Sequence, residues 1–391
     1  MRSSGLEGDR FHEVCDVSRL DQLAREEGAR HGPLLLKQPP SGWRRTMRGD
    51  PCYRGYGTLE FLLEAARAKF ETEPAVAREI TAAVLDFVDG VEDAPSRVHW
   101  IGLQGLAWKE HANALRFAGD LRQALQAVER SIEIYGQNAG LHFEQTRARL
   151  ASVNIHREIG NLGQALSIAR ECGSIFLDYG QRPFVTMARL CEGAVLFSLK
   201  QFAEALRIYT AVVEEAEIEG DKLTLARGLT NVAECARELG DLAAARDLYP
   251  RALVHFEELN LPTEAARVRW GYALSLAALG RIPSAVSELY KVRAVYLSLG
   301  ANADATVSML DIVRIRFDAD EDVQELCADL VATCSAAGLT QNAIEALAYL
   351  REQSKRRMLT STKINRVRTY IGELTRTPAL LFARPDDDEG E

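Results

Sequence analysis

The phrase Gly119-Asp-Leu-Arg-Gln-Ala124 returns as Gly160-Asn-Leu-Gly-Gln-Ala165, Lys200-Gln-Phe-Ala-Glu-Ala205, Gly240-Asp-Leu-Ala-Ala-Ala245 and Gly280-Arg-Ile-Pro-Ser-Ala285. Its steps are 41, 40, 40 and 40 residues, and self-similarity at a fixed period of this size marks a repeat architecture. Each part of the phrase has a physical task. The glycine supplies a left-handed residue that ends one helix, and the short polar residue behind it opens the next. The apolar residue and the alanine follow because two antiparallel helices approach closely only where one presents a small side chain. Apolar residues on either side run at helical spacing, as in Ala205, Ile208, Tyr209, Val212 and Ala216. Five helix-turn-helix units result, which predicts an all-α protein built as a solenoid of helical hairpins.

Outward from these units the pattern weakens. A degenerate unit precedes them from Thr58 to Val91, with Ala77 in the place of the post-turn alanine. Another follows with Gly338 and Ala343, after an extra helix around Asp304 to Phe317. Irregular terminal units are expected, because they must solvate one face of a stack. The first 57 residues hold eight Gly and four Pro and offer one short helical candidate, Val17 to Glu27. They predict an irregular arm at 1–57, too short for a three-helix DNA reader, with Trp43, Tyr53 and Tyr56 docking on the first repeat. The array then spans 58–359, a capping helix and extension 360–385, and an acidic tail, expected to be disordered, 386–391.

The register resembles that of tetratricopeptide repeats. Trp108, Ala112, Gly119, Ala124, Val128 and Ser131 match their motif in the first unit. Leu229, Ala233, Gly240, Ala245, Tyr249 and Ala252 match it in the fourth, and Gly193, Ala205 and Tyr209 in the third. The period of 40 exceeds the usual 34 of that family, and the closing Pro is missing, which is similar to the longer repeats of bacterial regulators and signalling proteins. The stretch from Ala346 to Pro385 resembles the ending of bacterial tetratricopeptide proteins, some of which carry a DNA-binding or anti-sigma-like module. The resemblance implies a right-handed superhelix.

Composition narrows the function. Of 391 residues, 47% are apolar and 26% charged, which are globular values, and the net charge of −9 opposes non-specific nucleic-acid binding by the whole chain. Seven histidines never fall in zinc-binding spacing, and phosphate-loop, dinucleotide-binding and nucleophile-elbow motifs are absent. No catalytic, metal or cofactor residue is therefore assigned, and a non-enzyme is expected. The seven cysteines (Cys15, Cys52, Cys172, Cys191, Cys235, Cys327, Cys334) form no C-x-x-C pair and read as core thiols. Cys327 and Cys334, seven apart on one helix, stand about 10 Å apart, beyond disulfide reach. No apolar run is long enough to span a membrane and the N-terminus has no apolar signal core, so a cytoplasmic protein is expected.

What remains is a binding face. In stacked tetratricopeptide units the first helices line the concave side. Carried over by register, that side holds Lys109, Asn113 and Arg116, then Arg147, Asn154 and Arg157. Leu190, Cys191, Ala194 and Phe197 follow, then Arg227, Asn231, Glu234 and Arg237, then Arg267, Trp270 and Leu274. In peptide-binding members of the class, Asn holds an extended backbone and cations hold carboxylates, so the partner is expected to be a protein or peptide, acidic in character. A structural alternative stands beside this. Arg116, Arg157 and Arg237 each lie three residues before the turn Gly, where they favour the helix C-terminus and can pair with Glu of a neighbouring repeat. A second basic patch, Arg351 to Arg376, reads either as a nucleic-acid surface or as the solvated side of a capping helix. The functional alternative is a DNA-linked regulator whose reader domain is reduced or absent.

Overall fold

The computed structural model describes residues 5–336, 340–374 and 380–382, apart from the side chains of 5–16 and 333–336. Every regular element among them is helical. The chain divides into two compact units, Met1–Leu199 and Lys200–Glu391. The first contains α1 (Gly5–Leu36), α2 (Pro40–Gly49), α3 (Tyr56–Arg67), α4 (Pro74–Leu85), α5 (Arg97–Phe117), α6 (Leu121–Tyr135), α7 (His142–Ile159), α8 (Leu162–Asp178) and α9 (Arg182–Ser198). The second contains α10 (Phe202–Glu219), α11 (Lys222–Glu238), α12 (Leu242–Glu258), α13 (Pro262–Ala278), α14 (Ile282–Ser298), α15 (Asn302–Asp318), α16 (Gln324–Ala336), α17 (Gln341–Lys355) and α18 (Ser361–Leu374). Within each unit successive helices pack side by side as hairpins, the arrangement of a helical-repeat solenoid.

The turns explain the long period. From 160 to 320 a left-handed residue falls at every twentieth position: Gly160, Gly180, Lys200, Gly220, Gly240, Asn260, Gly280, Gly300 and Asp320, with φ between 54° and 97°. One device thus closes both the turn inside each repeat and the turn between repeats. Beyond it an N–H reaches back five residues, as in Asn161 to the His156 carbonyl (2.8 Å) and Asp241 to Ala236 (2.8 Å), satisfying helix-end carbonyls. Asp120, Asp221 and Asp241 then accept N–H bonds from the first turn of the next helix. The recurrent alanines Ala124, Ala165, Ala205, Ala245 and Ala285 are all fully buried, as the close approach of paired helices requires.

The N-terminal segment differs from the expectation of an irregular arm with a short helix at Val17–Glu27. α1 runs for 32 residues, and α2 follows it. The glycines that suggested irregularity serve a helix crossing. A Cβ on Gly28 would stand 2.1 Å from the Gly57 carbonyl oxygen of α3, and one on Gly32 would stand 2.1 Å from the Phe61 ring. Trp43 and Met47 of α2 and Tyr56 of α3 are buried in one cluster with Leu59, Leu62, Ile80 and Val84.

In the second unit, Ile364, Val367, Ile371 and Leu374 of α18 are buried in a cluster that includes Leu310 and Val313 of α15 and Leu347 and Leu350 of α17. Gly338 and residues 386–391 lie outside the described residues, as do the side chains of Cys15 and Cys334.

Candidate functional site

In the first unit α3 touches α5, α5 touches α7 and α7 touches α9, whereas the second helices α6 and α8 are not brought into comparable contact. In the second unit α11 touches α13. The first helices therefore line the inner side of each unit, and the residues assigned by register can be located on it.

Arg116 of α5, Arg157 of α7 and Cys191 of α9 come together: burial pushes the Cys191 thiol up to about 11, and the charges of Arg157 and Arg116 oppose that rise. Between the two arginines lies Glu158, 2.7 Å from Arg116 and 3.7 Å from Arg157. Arg116 therefore bridges neighbouring repeats, as the structural alternative anticipated. Arg157 and Arg237 instead pair within their own helices, Arg237 with Glu234 and Glu238 at 2.8 and 2.7 Å. All three leave a buried Nε without a hydrogen bond among the described residues. Arg147 pairs with Glu144 (2.8 Å) and lies over the Phe184 ring (5.2 Å). Asn113 donates to Glu110 (3.1 Å). Asn154 and Asn231 are half-buried, with no hydrogen bond to another described side chain, and Arg227 is exposed.

Two of the assigned residues are engaged within the fold, Lys109 by burial and Trp270 by a hydrogen bond. Lys109 is buried, its Nζ 3.0 Å from Glu110, which also receives Arg67 of α3 at 2.8 Å. Burial pushes the ammonium down against the pull of Glu110. Burial would raise Glu110, but Lys109 and Arg67 outweigh it and hold the carboxyl low. The register failed at Lys109 because α3 packs against α5 there. Trp270 donates its indole N–H to the buried Asp311 (2.8 Å), and Arg368 of α18 holds the same carboxylate at 2.8 and 3.0 Å. That makes Trp270 a tether between α13 and α15.

A cavity of about 710 Å³, which no motif announces, lies on the inner face of the first unit. Its walls come from α1 (Arg25, Ala29), α3 (Tyr56 to Arg67), α5 (Val98 to Leu106), Tyr135 of α6 and α7 (Glu144, Arg147). Of the seventeen residues assigned by register, only Arg147 lines it. The usable signal was glycine within the α5 pattern: Gly102 lines the cavity, and a Cβ on Gly105 would stand 2.6 Å from the Tyr135 ring. Among the described residues no group of three or more His, Cys, Asp or Glu could hold a metal ion, and no helix is long and apolar enough to cross a membrane.

A tetratricopeptide-repeat family profile matches residues 185–258. No curated protein matches the sequence. Solved structures of similar fold include the apo quorum sensor NprR from B. thuringiensis (TM-score 0.58, 14% identity, 91% of this chain and 100% of that one). Also similar are NprR in complex with its cognate peptide NprX (0.52, 13%, 81% and 86%) and aspartyl phosphate phosphatase F from Bacillus subtilis (0.54, 10%, 73% and 71%). Residues 185–258 thus carry tetratricopeptide repeats by sequence, and the chain shares the fold of these bacterial structures.

Proposed function

We propose that the protein is a non-catalytic scaffold that binds a peptide or protein segment along its first-helix face, in signalling or regulation within the cytoplasm. The observation that carries this reading is the cavity of about 710 Å³ between successive first helices. Its size lies in the range of ligand sites, and it sits on the concave side that stacked hairpins leave open. NprR, whose fold the chain shares, is solved with a cognate peptide. Asn154 and Asn231 keep amide donors and acceptors free to meet an extended backbone. An acidic segment is supported by exposed Arg227 in the second unit, whereas Arg116 and Arg157 of the first are already matched by Glu158. The free buried thiols of Cys172, Cys235 and Cys327 suit a reducing compartment. The DNA-linked alternative has less behind it. Arg356, Lys363 and Arg368 of the basic patch are engaged by Glu352, Gln353 and Asp311.

The test is a displayed peptide library panned against the wild-type chain, followed by affinity measurements on N154A/R157A and N231A/R237A. Weaker binding with unchanged helicity supports the face. Affinity that is unchanged in both double mutants overturns it.

A further inference from the structure

The cavity of the first unit is lined by three arginines and three glutamates, but the arginines are not shared evenly among those glutamates. Each of its three arginines already has a carboxylate: Arg25 has Asp21 (3.1 Å), Arg67 has Glu110 (2.8 Å) and Arg147 has Glu144 (2.8 Å). Left over are Glu60 and Glu64, one turn apart on α3 and both on the cavity wall. Glu60 has only the Arg25 Nε at 3.9 Å, and Glu64 has no cation within ion-pair distance among the described residues. Like charges four apart on a helix repel. Burial lifts the Glu60 carboxyl above its ordinary range, Asp21 and Glu64 add to the rise, and Arg25 and Arg67 offset only part of it.

A second group on the wall lacks a partner. Tyr135 is 1% exposed, and its hydroxyl makes no hydrogen bond to any described residue. Tyr135 lines the cavity, and Gly105 gives its ring room, since a Cβ there would stand 2.6 Å from it. Phe61, Val98 and Leu106 supply apolar wall beside these polar groups.

We propose that this cavity recognises an organic cation, an ammonium or guanidinium group on an apolar stem, with Glu60 and Glu64 as counter-charges and the Tyr135 oxygen as hydrogen-bond acceptor. The inference rests on the first-helix face being a binding face, and it names what that face selects in the first unit. A bound anion would face Glu60 and Glu64, the two wall carboxylates without a close cation, while a cation relieves their mutual repulsion. The same chemistry fits a basic residue of a peptide and a free small amine.

The test titrates the full chain calorimetrically with two matched pairs: benzylammonium against benzyl alcohol, and the peptide acetyl-Phe-Arg-Phe-amide against its citrulline counterpart. The charged member of at least one pair is expected to bind about tenfold more tightly, and the pair showing the stronger preference identifies the source. Proton release, read from the buffer dependence of the heat, accompanies binding as the cation draws Glu60 down. E60Q/E64Q removes the preference, and Tyr135→Phe weakens binding several-fold. Gly102→Phe blocks the cavity without straining the fold, since a Cβ there meets nothing nearer than 4.0 Å. No preference for charge in either pair, or a preference that survives E60Q/E64Q, overturns the proposal. A library-selected peptide that tolerates E60Q/E64Q but is lost on N154A/R157A overturns it too, while leaving the binding function intact.

Discussion

Replacing a helical glycine by alanine should have opposite signs at two positions of the first unit. In an isolated helix the change is worth about 1 kcal/mol in favour of alanine. At Gly102 the new methyl meets nothing nearer than 4.0 Å, so Gly102→Ala should stabilise by up to about 1 kcal/mol. At Gly28 the methyl would stand 2.1 Å from the Gly57 carbonyl oxygen and 2.6 Å from its carbon. Backbone has no rotamer to yield, so α1 and α3 must separate by about 1 Å to restore an ordinary contact, which forfeits a quarter to a half of the dispersion well along their seam. Overpacking of this kind costs about 1 to 3 kcal/mol. Gly28→Ala should therefore lose up to about 2 kcal/mol net of the propensity gain, with the loss confined to α1 and its contacts. Urea unfolding gives the sign for both variants, and hydrogen exchange gives the location, with faster exchange in α1 expected for Gly28→Ala alone. Shifts of the same sign in the two variants, or unchanged exchange in α1, would refute the helix-crossing account of these glycines.

Three further outcomes are expected. Lys200 holds a left-handed φ of 60° where its counterparts are mostly glycine, so Lys200→Gly should raise the urea midpoint by the equivalent of about 1 kcal/mol. Asp311→Ala removes the carboxylate that Trp270, Arg314 and Arg368 share and should cost about 3 kcal/mol, with α18 becoming the first site of proteolytic cleavage; Arg368→Ala should cost less, because that side chain is partly exposed. Burial holds His111 at about 4, below its unfolded value, with the charge of Arg78 adding to the shift. The unfolded chain therefore binds more protons between pH 6.5 and 4, so this contribution is complete above 6.5 and is lost as the pH falls through that window. His111→Asn should flatten the pH dependence of the melting temperature across it.

Local chemistry made the repeats legible from sequence. The turn needs a residue that tolerates positive φ, the next helix needs a polar cap, and the helix pair needs a small contact residue, so Gly119, Asp120 and Ala124 signal their structure within six positions. Three successive first helices bring Arg116, Arg157 and Cys191 together as the register requires. The second set of turns, at Gly180, Gly220, Asn260 and Gly300, uses the same backbone device, but the residues after it vary and the phrase does not repeat there.

Long-range contacts decided the rest. Nothing near Lys109 reveals that α3 will cover it, or that Arg67, forty-two positions earlier, will share Glu110 with it. Gly28 and Gly32 disfavour a helix by propensity and belong in one only because α3 lies close enough to exclude a side chain. Trp270 read as a ligand contact, but its indole N–H is taken by Asp311, far along the chain. Within the repeats, sequence alone determined where helices begin, end and pair, because those choices depend on neighbours within a turn or two. Tertiary structure alone decided which polar residues stay available to a partner, because burial and charge pairing are set by whichever distant helix packs above them.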